Sequence, residues 1–101
     1  MDPMAGDPVP FLAALADPTR LRLIRVLACQ PTDRALCVGA LARRLGVSQP
    51  AVSQHLRVLR ALGLVQAERC GPRVHYVLDR PRFQAWWSLV AQVVDDVLER
   101  R

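Results

Sequence analysis

Ser48, Gln49, Ser53, Gln54, Arg57 and Arg60 fall within thirteen consecutive positions that contain no acidic residue. Amides and hydroxyls hydrogen-bond base edges, and guanidiniums pair with phosphates, so this set suits a surface laid against nucleic acid. The same residue types also occur on solvated helix faces, so what decides is how the chain positions them.

The intervening residues supply that positioning. Val52, Leu56 and Leu59 recur at i, i+4 and i+7, a buried stripe that Ala51, Val58 and Leu62 widen, and the polar set must then point elsewhere. Ser48 is a suitable N-cap, Pro50 sits near the first helical position where its missing N–H costs nothing, and no glycine follows until Gly63. Upstream, Val38, Leu41, Ala42 and Leu45 predict a shorter amphipathic helix closed by Gly46 as a left-handed C-cap. The result is helix, tight turn, helix, with the second helix free to enter a major groove.

After Gly63 the pattern changes to short alternating segments over 64–69 and 74–78, with Gly71-Pro72 at the bend, which predicts a β-hairpin or wing. Arg69 and Arg73 flank its tip, in reach of phosphates or an adjacent minor groove; the alternative is that they are edge-protecting charges. The DNA-binding candidates are therefore Ser48, Gln49, Ser53, Gln54, Arg57, Arg69 and Arg73.

Charge agrees with that assignment. The net charge of +5 comes from 14 arginines and no lysine against 9 acids. Residues 43–82 hold eight arginines and two acids, a surplus of six, whereas the remainder holds six arginines and seven acids. Positive charge is thus concentrated on the reading segment, as phosphate neutralisation requires.

The other elements must carry this head. Residues 1–8 read as a flexible tail, and 9–101 as one domain. A first helix is expected over 9–16, with Phe11, Leu12 and Leu15 apolar. Asp17-Pro18 caps a second, in which Leu21, Ile24, Leu27 and Ala28 form a stripe widened by Leu23 and Val26. Pro81 opens a last helix over 81–100, where Phe83, Trp87, Val90, Val94 and Val97 line one face and Trp86, Leu89 and Val93 a second. So small a domain can bury one of these faces, and the other needs a partner molecule. A homodimer follows, with Phe11, Leu12, Leu15, Trp87, Val90, Val94 and Val97 at its interface and two reading helices spaced for an inverted repeat.

No run approaches the apolar length of a membrane span and no export signal is evident, so a soluble cytoplasmic protein is expected. Three cysteines, Cys29, Cys37 and Cys70, make a disulfide framework unlikely on number alone and leave them as effector or redox candidates. No glycine-rich phosphate loop or spaced nucleophile and base is present, which disfavours an enzyme.

The runs LADPTRLRLIRVLA and LARRLGVSQPAVSQHLRVLRALGLV, followed by a hairpin ending VHYVL, resemble the ArsR/SmtB family of small winged-helix repressors over residues 10–100. The resemblance implies a mainly α fold with a small β-hairpin, a homodimeric winged helix-turn-helix in the order four helices, two strands, one helix. It also implies that Arg20 or Arg22 contributes backbone contacts to DNA.

Members of the family often release DNA when a metal or metalloid binds. Cys37 occupies the first position of the family's Cys-x-Cys motif, but Gly39 replaces the second, and one thiolate is a poor soft-metal site. The family's carboxylate and histidine site on the last helix is matched by Asp95, Asp96 and Glu99 without any histidine. No cofactor is therefore predicted. Thiol oxidation at Cys37 or Cys70 remains open, and His55 reads as a half-buried, hydrogen-bonded residue rather than a ligand. Besides a specific repressor, the sequence admits a nonspecific architectural nucleic-acid binder, a metal(loid)-responsive repressor using Cys37, or a protein-interaction module built on the last helix.

Overall fold

The computed structural model describes residues 6–30 and 36–99. Four of its five helices begin where a short polar side chain satisfies a free backbone N–H group. Asp7 accepts a hydrogen bond from the Val9 amide at 3.0 Å as α1 (Val9–Leu15) begins; the rest of the expected tail, residues 1–5, lies outside the described residues. Asp17, in extended conformation, accepts from the Arg20 amide at 2.9 Å and starts α2 (Pro18–Ala28). That backbone N–H bond, helped by the charge of Arg20, lowers the Asp17 pKa below the ordinary carboxyl value.

α3 (Val38–Leu45) ends at Gly46, whose φ of 68° supplies the left-handed cap, and its N–H bonds to the Ala42 carbonyl at 2.9 Å. Ser48 then accepts from the Ala51 amide at 3.2 Å to open α4 (Gln49–Ala61). β1 (Val65–Cys70) and β2 (Arg73–Leu78) pair antiparallel from Val65↔Leu78 to Cys70↔Arg73, turning at Gly71. An isolated bridge joins Leu36 to Tyr76, so the wing is fastened beside the entrance to α3. Asp79 caps α5 (Arg80–Glu99) by accepting from the Arg82 amide at 3.0 Å. The hairpin is displaced by one residue at the start of each strand from the 64–69 and 74–78 expected; Leu64 is instead wholly buried below the sheet.

One core unites these elements. Phe11, Leu23, Leu41, Val52, Leu56, Leu59, Leu64, Val65 and Trp86 are all closed to solvent. Two assignments from periodicity are corrected here. Phe11, expected at a dimer interface, belongs to the chain's own core: its ring lies parallel to Trp86 at 6.0 Å and edge-on to Phe83 at 5.2 Å. α1 is only two turns long, and its one large aromatic fills the space beneath α5. Leu21, expected in the buried stripe of α2, is 43% exposed, because Leu23, Ile24 and Leu27 make the core contact. At 3.6 residues per turn Leu21 stands roughly 110° from the centre of that arc.

Trp86 also fixes the end of α4. Its indole N–H donates to the Leu62 carbonyl at 2.8 Å, in a buried position, while Gly63 reverses the chain with φ of 74° and the Arg82 stem packs where a Cβ would sit. Trp86→Phe retains an aromatic ring but removes the donor, leaving a buried carbonyl unpaired. The expected cost is about 1–3 kcal/mol, read as a lower urea midpoint at unchanged slope.

The two apolar faces expected on α5 are redrawn: Phe83 and Val90 of the first pack inward, and Val93 of the second is exposed. Trp86 turns inward, with Phe83, Leu89 and Val90 packed against the core. Trp87, Val93, Val94, Val97 and Leu98 are exposed. The molecule measures 54 Å along its longest axis and 23 Å along the others. Among the described residues no helix is long and apolar enough to cross a membrane.

Candidate nucleic-acid interface

α4 is amphipathic in the sense its sequence demanded. Val52, Leu56 and Leu59 are buried, and Gln49, Ser53, Gln54, Arg57 and Arg60 are exposed. Ser48, also exposed, has its hydroxyl oxygen engaged as the cap. An open groove of about 510 Å³ runs along this helix, lined by Ser53, Leu56, Arg57, Arg60, Ala61 and Tyr76. Two guanidiniums, a hydroxyl and a phenol thus face one space with no carboxylate in the lining. Such a lining attracts a phosphodiester and offers donors for it.

Tyr76 also lines the groove. It comes from β2, opposite Ala67, and its amide bonds to the Leu36 carbonyl at 3.0 Å. That contact is formed with a residue forty positions upstream, so no local pattern announces it. The hairpin arginines are both exposed, Arg69 opposite Val74 and Arg73 opposite Cys70. Arg73 is close enough to Cys37, at the start of α3, to act on its ionisation. Arg43 and Arg44 are exposed on the last turn of α3, and the Gln49 amide lies within 3.5 Å of where a Cβ on Gly39 would be. The arginines of α3, α4 and the wing therefore belong to neighbouring elements of one helix-turn-helix unit.

The cysteines do not gather. Cys29 and Cys70 are exposed and Cys37 is half-buried, all as free thiols; the segment 31–35 between Cys29 and Cys37 falls outside the described residues. Among the described residues no three His, Cys, Asp or Glu side chains are grouped to hold a metal ion. Asp95, Asp96 and Glu99 are exposed on α5. A thiophilic metal or metalloid ordinarily requires two or three sulfurs, and Cys37 with Gly39 in the same turn supplies one, so these residues do not fit such a centre.

Cys37 is nonetheless distinctive. It is the N-cap of α3, and the N–H of Ala40 first, then that of Gly39 and the Arg73 guanidinium, lower its pKa below the ordinary thiol value against an opposing effect of burial. In the Cys29→Ser/Cys70→Ser double variant, the rate of iodoacetamide alkylation followed against pH is expected to reach its half-maximum below the range of a free thiol. A profile matching free cysteine would contradict the cap geometry.

The family model described as "Bacterial regulatory protein, arsR family" matches residues 17–67, the span from the cap of α2 into β1. A transcriptional repressor SmtB homolog from Synechocystis is 50% identical over 68 residues, covering 67% of this chain and 48% of that protein. The arsenical resistance operon repressor of Escherichia coli is 37% identical over 89 residues, covering 88% of this chain and 70% of that protein. Among solved structures, the homodimeric winged helix-turn-helix DNA-binding domain of a possible ArsR-family regulator from Mycobacterium bovis superposes with a TM-score of 0.65 at 30% identity, covering 92% of this chain and 82% of that one. The chain spans about half the length of several curated relatives that it matches. With its family profile running through both helices of the reading unit and its fold shared to the last helix, the chain belongs to the arsR family of bacterial regulatory proteins.

Proposed function

We propose that this protein is a homodimeric, sequence-specific transcriptional repressor that acts on cytoplasmic DNA by occupying an inverted-repeat operator. One observation carries the reading: α4 turns an acid-free face of Gln49, Ser53, Gln54, Arg57 and Arg60 to solvent beside Tyr76 of the wing, while its other face is locked in the core. Gln49, Ser53 and Gln54 read base edges; Arg57, Arg69 and Arg73 pair with phosphates; Ser48 sets where the helix starts. Leu12, Leu15, Trp87, Val90, Val94 and Val97 form the interface between subunits, without Phe11. The relatives named as repressors support this reading, as does the homodimeric neighbour.

Competition tests it. A duplex enriched by this protein from a random-sequence pool should contain an inverted repeat and bind at least about 10³ more tightly than scrambled duplex. Equal affinity for both would favour an architectural nucleic-acid binder, and absence of salt-sensitive duplex binding would favour a protein-interaction module. A signal releases the protein from its operator. Among the candidates the stabilised thiolate of Cys37 supports thiol modification next to Arg73 over metal capture.

A further inference from the structure

Arg20 is one of the two residues of α2, with Arg22, that the resemblance associates with DNA backbone contacts, yet its side chain is committed to the protein. Its Nε–H donates to the Ala14 carbonyl of α1 at 2.9 Å, and its Nη1 lies 3.2 Å from His55 Nδ1 on α4. Its own amide is held by Asp17. Arg22 and Arg25 of the same helix are exposed, whereas Arg20 is half-buried. A guanidinium has donors only, so in the pair with His55 the imidazole Nδ1 is the acceptor and its ring proton resides on Nε2.

His55 immediately follows Gln54 and precedes Arg57 by two positions. A restraint on its ring is therefore a restraint on the rotation of α4 at the point where the proposed base-reading and phosphate-pairing side chains emerge. Hydrogen bonds to base edges form only over roughly 2.7–3.2 Å, so a turn of the helix that moves side-chain tips on the order of an ångström removes them. Besides the core packing of Val52, Leu56 and Leu59, the Trp86 bond to Leu62 restrains α4 at its far end, and the contact with Arg20 adds a polar restraint at mid-helix.

We propose that Arg20 is a positioning residue: braced on the Ala14 carbonyl, it holds His55 and thereby sets the seating of α4 in the groove, without itself pairing with DNA phosphate. The inference rests on α4 being the reading helix. Arginine is required because one planar fork must reach two acceptors, the Ala14 carbonyl and the His55 ring; a lysine ammonium keeps the charge but offers a single point.

The experiment uses the full chain and the duplex it enriches from a random pool, with binding measured over a series of salt concentrations at a temperature where circular dichroism shows every variant folded. Arg20→Lys and His55→Leu should each weaken the enriched duplex about tenfold and leave scrambled duplex and the salt slope as in wild type. The combined variant should lose no more than the worse single one. His55→Asn, whose Oδ1 takes the place of Nδ1 as acceptor, should restore affinity to within about threefold of wild type. Full affinity in Arg20→Lys would overturn the proposal, because a phosphate contact tolerates lysine. So would a salt slope lowered by about one in Arg20→Met, additive losses in the double variant, or failure of His55→Asn to rescue. Failure of wild-type protein to enrich any duplex would instead overturn the nucleic-acid reading itself, and this inference with it.

Discussion

Gln54→Ala is expected to relax base preference by about 1–3 kcal/mol at one position of each half-site, whereas Arg57→Ala weakens every duplex and lowers the salt slope by about one. The two residues lie one turn apart on the exposed face of α4, so the contrast arises from chemistry rather than location. An amide matches the donor and acceptor pair of a base edge, and losing it leaves the mismatched and matched sites nearly equal. A guanidinium against phosphate carries no sequence information and acts through counterion release. Both side chains are exposed, so neither change should alter the unfolding free energy by more than about 0.5 kcal/mol. The measurement is a binding isotherm for the enriched duplex, a single-base variant of it and a scrambled duplex, each over a range of salt. Uniform loss by both variants would show that the division of labour on the helix is misassigned.

The contrast between Gln54 and Arg57 was legible in the sequence because both lie on one long helix whose apolar stripe has a single buried solution. Val52, Leu56 and Leu59 could face only the core, and Ser48 at its start and Gly63 just past its end marked its limits. Short elements were less legible. α1 has seven residues, too few for a periodic pattern to say which apolar side chain goes inward, so nothing local shows that Trp86 and Phe83 enclose Phe11. In α2 nearly every non-arginine position is apolar, so the breadth of the stripe hides the direction of its centre and does not separate exposed Leu21 from buried Leu23, Ile24 and Leu27. What the sequence could not reveal at all were contacts between distant segments: Arg20 with His55 across 35 residues, Trp86 with Leu62, and Tyr76 in the wall of the α4 groove. Each depends on the packing of elements distant in sequence, which no local window contains.

Val94→Asp is expected to convert the dimer to monomer and to reduce affinity for the inverted repeat to that of a half-site. In the single chain Val94 is 48% exposed, as are its neighbours on the same side of α5, Trp87 and Val97, to 49% and 67%. None of these side chains belongs to the buried core of the single chain, so substituting an acid at position 94 leaves the fold of one subunit intact. In a two-fold interface the same position meets its counterpart's surface, and burying a carboxylate with no partner costs several kcal/mol on each side. The consequence reaches DNA because two reading helices spaced by about one duplex turn, roughly 34 Å, bind as one unit only while the subunits are joined. Sedimentation or light scattering should give half the wild-type mass, with helical content and thermal midpoint of the monomer retained. Trp87 offers the larger apolar surface, but its removal would delete area without adding a charge, so the acid at position 94 is the more decisive change. Unchanged mass in solution would assign the exposed face of α5 to some other contact and would leave the inverted repeat without its structural cause.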